Sequence, residues 1–411
     1  MMDAMTTLMC INTILSFKYG FIEESGAILS NFGLVLTFAG NFREGYVIGE
    51  ACMKLADKTN NSIPNVIMNF YGGLNHLYNP LHSSLESLLR GYRIGFEIGD
   101  TVNGFYCCLF YLQVFYFVGL PLTNLLKDTK AFSEEMRAYN ITVTLDYLKV
   151  YHQSVLNLTS QSILMDPTML DGIVMCEEAV LTSDIKKVIT NFWFAKLILA
   201  ICFQNLQVLS ECLENLSFGR PEGIDGCMYW VSTMTWCEGL GAIILALSTG
   251  KRKYKCLARK RMNKLKMWTK KGNVNCYHIL LHLEAEQSVL FRRPTVDVKI
   301  KFDAAISAAR RAGLNNVAAI ASERAALYFL SIQDTERASL YMMISYELYH
   351  SWGATSKCLT MIRDFPDLLA ELQERGLRNN SLQPMGTSHL GRTRYTSDEG
   401  KRHSGSSLNI F

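Results

Sequence analysis

The chain has 411 residues, a formal net charge of +4, 49 % hydrophobic and only 19 % charged residues. That balance excludes a mostly disordered chain and a strongly charged nucleic-acid binder as the default class. Eight prolines are few for this length, which points to long, well-buried helices.

In chain order, the first 18 residues carry Asp3 and no basic residue before their apolar run, so they make a poor signal peptide. Apolar residues then recur every three or four positions. This spacing predicts helices over 23–39 with 42–57, 64–77 with 82–98, and 101–117 with 121–138. A long helix 141–164 leads into an irregular acidic stretch, 166–182. Further pairs follow at 184–203 with 205–216, 225–248 with 251–271, 274–291 with 294–312, and 315–331 with 334–352. Helices near 355–364 and 366–376, separated at Pro366, close the array. Pro64, Pro80, Pro121 and Pro294 fall at helix starts or turns, where a missing N–H costs little. No sustained apolar/polar alternation marks a strand. The apolar runs Phe105–Val118, Phe192–Phe203 and Gly239–Leu247 are shorter than the ~20 residues of a membrane span. They read as buried helices, and no transmembrane segment is expected.

Two features indicate repetition. Gly45-Tyr46-Val47-Ile48-Gly49 returns as Gly91-Tyr92-Arg93-Ile94-Gly95, 46 residues later. Turns near Gly40, Asn79, Gly119, Asp166, Gln204, Gly250, Arg292 and Ile332 are spaced by 38 to 47 residues. A helical pair of that length cannot bury its apolar face alone, so neighbours stack. The expectation is an all-α, right-handed α-solenoid of about eight tetratricopeptide-like hairpins over 1–376. Residues 377–411, rich in Ser and Gly and basic from Arg378 onward, read as a disordered tail. Tyr395, Thr396, Ser397 and Ser404 there are candidate phosphorylation sites.

Several stretches resemble one family. They are Tyr92 to Asp100, Asp166-Pro167 through Glu177-Glu178-Ala179, Phe194 to Ala200, and Leu280 to Glu286. Ala308 to Gly313, Glu323-Arg324-Ala325-Ala326, Tyr349 to Ala354 and Asp364 to Leu369 continue the series. In this order they are similar to the tetratricopeptide-like helical region of very large multidomain sensor proteins. In that family a serine/threonine kinase-like domain and an AAA-type ATPase precede the helices, and a GAF domain and a histidine kinase follow. The resemblance covers about residues 20 to 376 and implies a helical arm between signalling domains. The kinase, ATPase and output domains are absent from this chain, so their activities transfer to no residue here. The expectation is either a free-standing derivative or a piece of a longer protein, with the first hairpin lacking a capping helix.

Chemical motifs are sparse. Gly386 to Thr393 has the spacing of a phosphate loop, but Arg392 replaces lysine and no strand precedes it. His278 and His282 lie four apart on a helix, but Ile279 stands where a zinc-protease glutamate is needed, and they read as a satisfied helical surface. Asp166, Asp171, Glu177, Glu178 and Asp184 do not fit a calcium loop and read as a solvated linker. Twelve scattered cysteines without a C-x-x-C pair read as reduced thiols of a cytoplasmic protein. No catalytic residue, metal ligand or cofactor site is expected, and the chain is read as non-enzymatic.

The sharpest local feature is the segment 251–271, with eleven basic residues and no acidic one. Tyr254, Leu257, Ala258, Leu265 and Trp268 form an apolar stripe, leaving a positive face. The candidate interaction patch is Lys251, Arg252, Lys253, Lys255, Arg259, Lys260, Lys264, Lys270 and Lys271. The first functional expectation is a scaffold for protein partners in signalling. The second is a binder of nucleic acid or an anionic membrane surface through this helix.

Overall fold

A computed structural model of the chain describes residues 2–22, 24–59, 63–161, 165–218 and 228–370. The tail 377–411, with its candidate phosphorylation sites and the Gly386–Thr393 pattern, lies outside the described residues. The described chain is all-α, without strands. The N-terminal helices are α1 (Met2–Tyr19), α2 (Ser25–Phe38), α3 (Phe42–Thr59), α4 (Ile63–Gly73), α5 (Leu85–Ile98) and α6 (Thr101–Phe117). Next come α7 (Leu122–Ala138), α8 (Thr142–Thr159), the short α9 (Glu177–Leu181), α10 (Lys186–Cys202) and α11 (Leu206–Leu213). The C-terminal set is α12 (Trp230–Thr249), α13 (Arg252–Lys270), α14 (Tyr277–Leu290), α15 (Thr295–Arg311), α16 (Asn315–Ser331), α17 (Thr335–Trp352) and α18 (Thr355–Asp364).

Local chemistry explains the breaks. Gly40, Gly99, Gly119, Gly250, Gly313 and Gly353 adopt positive φ after a helix, as do Asn140, Gln204, Arg292 and Gln333. A left-handed residue there lets the following N–H groups reach the last free carbonyls. Asp100 and Asp334 then cap the next helix by accepting from the backbone N–H three residues on. α18 ends at Asp364, ahead of Pro366, as a proline boundary requires. Residues 366–369 form a turn, so the helix expected from 366 does not begin there. The compact unit runs from Met1 to Leu369.

The even-numbered helices form a continuous inner row. From α2 to α16 each touches the next even-numbered helix, and the odd-numbered helices other than the short α9 cover that row from outside. The row also curls onto itself, with α6 against α12 and α8 against α18. Polar contacts lock this closure. The Tyr229 N–H donates to the Gly72 carbonyl at 3.2 Å, and Asn316 Nδ2 donates to the Phe117 carbonyl at 3.1 Å. Asn275 Nδ2 donates to the carbonyls of His76 and Asn79 at 2.7 and 2.8 Å, and its Oδ1 accepts from the Leu81 N–H at 2.9 Å.

Burial follows position. α10 buries every side chain from Asn191 to Cys202, and α12 every residue from Met234 to Ala246. α12 is long and apolar enough to cross a membrane, but 83 % of its apolar window is buried inside the fold. Where the inner helices converge, Tyr116, Phe117, Ile198, Trp236, Ile320 and Trp352 leave a cavity of about 20 Å³. That holds roughly one water molecule.

Three expectations need correction. Residues 2–19 form a helix packed on α2, so the first hairpin is preceded by a helix after all. The partner of 101–117 is also different. α6 packs chiefly on α5 and α7 on α8, whereas α12/α13, α14/α15 and α16/α17 pair as expected. α2 and α3 also pair as expected, so the shifted pairing is confined to α5–α8. The helix expected over 141–164 ends at Thr159, where Ser160 turns to extended backbone.

The Gly-x-x-x-Gly repeat has a packing reason. Gly45 and Gly49 lie on α3, and Gly91 and Gly95 on α5, each facing the inner row. A Cβ on Gly45 would stand 2.5 Å from the Gly33 carbonyl oxygen, and one on Gly95 would stand 2.8 Å from Gly104 Cα. Only glycine lets these backbones approach so closely.

Candidate interaction surface

α13 begins directly after the left-handed Gly250 and carries the basic segment. Tyr254, Leu257, Ala258, Met262, Leu265 and Trp268 are buried, so the apolar stripe faces inward and includes Met262 besides the five residues read from sequence. Lys251, Arg252, Lys253, Lys255, Arg259, Lys260, Lys270 and Lys271 are exposed, and Lys264 is half-buried.

The charges are not equivalent. Lys253 pairs with Glu214 and lies over the Tyr254 ring. Arg261 reaches the buried Glu238 of α12 at 2.8 Å, and Lys266 meets Glu284 of α14 at 3.0 Å. Lys264 lies over the Trp268 ring, 4.8 Å from its centroid. Lys271 donates to the Gly40 carbonyl at 3.0 Å and sits over the Phe42 ring, tying the end of α13 to the α2–α3 turn. Lys251, Arg252, Lys255, Arg259 and Lys270 have no carboxylate partner among the described residues. The residual positive face is therefore centred on the first two turns of α13. Those cations stand at the positive end of the helix macrodipole, where charge of this sign is disfavoured.

The other sequence candidates are placed differently. His278 and His282 are buried rather than on a helical surface. Burial in the inner layer pushes both down to about 4. His282 lies beside the rings of Trp236 and Phe302, with neither ring nitrogen hydrogen-bonded. The nearest carboxylate to His282 is Glu286, at 3.9 Å, and that carboxylate is held by Arg324 at 2.6 and 3.1 Å. The acidic linker is only partly solvated. Glu177 pairs with Lys196 at 2.9 Å and accepts from the Leu170 N–H at 2.5 Å, while Asp166 accepts from the Thr168 N–H at 2.9 Å. No group of three or more metal-ligating side chains occurs among the described residues.

Sequence reasoning missed the buried ion pairs. Glu323 on α16 accepts from Lys357 Nζ at 2.6 Å, from the Tyr349 hydroxyl at 3.0 Å and from Gln204 Nε2 at 2.5 Å. Both charges are almost fully buried. With Glu286–Arg324 between α14 and α16, and Glu238–Arg261 between α12 and α13, they bind successive helices. The available signal was a charge inside an apolar run, as at Lys196 and Glu238. Periodicity does not say where its partner lies.

Eleven cysteines are free thiols among the described residues, most of them buried. Burial raises Cys52, Cys202, Cys276 and Cys358 to about 12, so they behave as small apolar groups. Compared with known proteins, the chain matches no family model and no curated protein.

Proposed function

We propose that the chain is a non-enzymatic helical-repeat scaffold. In this reading it is a right-handed α-solenoid of tetratricopeptide-like hairpins in a cytoplasmic, kinase/ATPase sensor-type signalling assembly. It holds protein partners or carries conformational change between domains. The observation that supports it best is the unbroken inner row from α2 to α16, stapled by buried ion pairs. A row packed this tightly moves as a body rather than bending locally. The central inner helices α10 and α12 are buried on nearly every side, so near them partners meet the outer helices rather than a groove between inner ones.

Two measurements test this. Purified protein should show neither ATP hydrolysis nor phosphotransfer; robust activity of either kind overturns the assignment. An antibody against residues 294–376 reports the size of the endogenous protein. A band near 46.5 kDa supports a free-standing scaffold, and one several times larger supports an arm within a multidomain sensor.

A second reading rests on a different observation, the cations at the N-terminal end of α13. We propose there a site for an anionic partner, either nucleic acid or a membrane surface. Binding to single-stranded RNA or phosphatidylserine vesicles should weaken steeply with salt. Lys255→Glu with Arg259→Glu should reduce it at least tenfold with the fold intact, and unchanged binding sinks this reading.

A further inference from the structure

α1 turns polar side chains toward the rest of the fold and large apolar ones away from it. From Thr7 to Tyr19 its buried positions are Thr13 and Ser16, and their hydroxyls donate to their own helix, to the Met9 carbonyl at 2.8 Å and the Asn12 carbonyl at 3.0 Å. Ser16 also meets Ser25 of α2 at 3.5 Å. The opposite face carries Leu8, Ile11, Ile14 and Leu15, with Phe17 beside them, all 44–69 % exposed. Tyr19 at the end of the helix, and Phe21 and Ile22 just beyond it, continue the exposed surface.

Three properties of this face indicate its occupant. The first is size. Eight large side chains, each about half to three-quarters exposed, present on the order of 800–900 Å² of surface, most of it apolar. The largest apolar patch of an ordinary monomer is about 300–600 Å². A standard protein interface removes about 800 Å² from each partner. The second is spacing. Leu8, Ile11, Leu15 and Lys18 follow steps of three, four and three, the seam of a two-helix coiled coil. The third is charge. Residues 4–17 contain no ionisable acid or base apart from Cys10, so two copies set antiparallel bring no like charges together along Leu8, Ile11 and Leu15, with each Lys18 at an end of the seam. A helix lying in a lipid interface would carry a Lys/Arg-rich polar face. Here the polar face is short hydroxyls turned into the protein.

We infer that α1 is a self-association surface, on which two copies of the chain pair helix to helix about a twofold axis. An isologous contact of this kind buries the same residues on both copies and closes on itself. The inference is independent of the scaffold assignment, since it concerns only the face of α1.

Sedimentation or light scattering of the full chain tests it. The expected mass is twice the 46.5 kDa of one chain. Ile11→Glu with Leu15→Glu should return the single-chain mass with helical circular dichroism unchanged, because both residues face away from the rest of the chain. The milder Ile11→Ser with Leu15→Ser should weaken the dimer in the same direction and guards against misfolding by the glutamates. A wild-type chain that stays monomeric at high micromolar concentration overturns the inference. So does a dimer that survives both double variants. Co-flotation of monomeric protein with phosphatidylcholine vesicles, lost in the glutamate variant, would assign the face to lipid instead.

Discussion

α12 and α13 are consecutive helices of one hairpin, yet they handle charge in opposite ways. α12 is buried on nearly every side and contains one charge, Glu238, held by Arg261 and by the Ser217 hydroxyl at 2.8 Å. α13 buries a single stripe and exposes most of its nine basic residues, of which only a few meet a carboxylate. An ion pair shielded from water contributes strongly when one partner is removed, because the other is left uncompensated; an exposed one contributes little. Single substitutions at the few inner-row charges are therefore the costly ones, while the abundant surface charge is available for other uses.

The largest expected effect is at the Glu323–Lys357 pair. Lys357→Ala leaves a buried carboxylate with only Tyr349 and Gln204, and should cost about 3–5 kcal/mol in denaturant unfolding. Combining Lys357→Met with Glu323→Gln should recover much of that loss. A cost below about 1 kcal/mol for the single variant would break the contrast between the layers.

Acid provides the next test. Burial drives His76 down to about 3, and His278 and His282 to about 4, below the unfolded value of 6.5. Around His282, the Glu286 carboxylate opposes this and Arg324 adds to it. Between pH 6.5 and 4 the unfolded chain binds more protons than the folded one. Stability is thus complete above pH 6.5 and falls as the pH drops through that window. At pH 5 the loss should be on the order of 2 kcal/mol for each buried histidine. An unfolding midpoint that stays flat from pH 7 to 5 would contradict this burial, and His282→Gln should flatten the dependence.

Smaller effects sharpen the comparison. Gly45→Ala drives a methyl into the Gly33 backbone and should cost about 1–3 kcal/mol, measured by thermal unfolding. Lys255→Ala and Arg259→Ala on the outer face should stay within about 0.5 kcal/mol of wild type. At the low end, Gln333→Gly removes a side chain from a backbone at φ +63° and should stabilise by up to about 1 kcal/mol.

Much of this was legible in the sequence, and for a local reason. Helix spacing, glycine after a helix and proline before one act over a few residues. Hence 101–117, 315–331 and 355–364 coincide with α6, α16 and α18, and the inward stripe of α13 could be read from Tyr254 to Trp268. The candidate patch was legible as composition, but not as a set of distinct charges. Lys253 and Lys271 are drawn to Glu214 and Gly40, which lie far away along the chain.

What the sequence by itself determined is the all-helical class, the position of most turns and the helices that are apolar all round, since these depend on short-range backbone and burial preferences. Only the tertiary structure decided that α6 packs on α5, that the inner row closes on itself, and that Glu323 meets Lys357. It also decided that α1 turns its apolar face outward. Such choices are made by shape and charge complementarity between segments distant in the chain, and no local pattern encodes the identity of the partner.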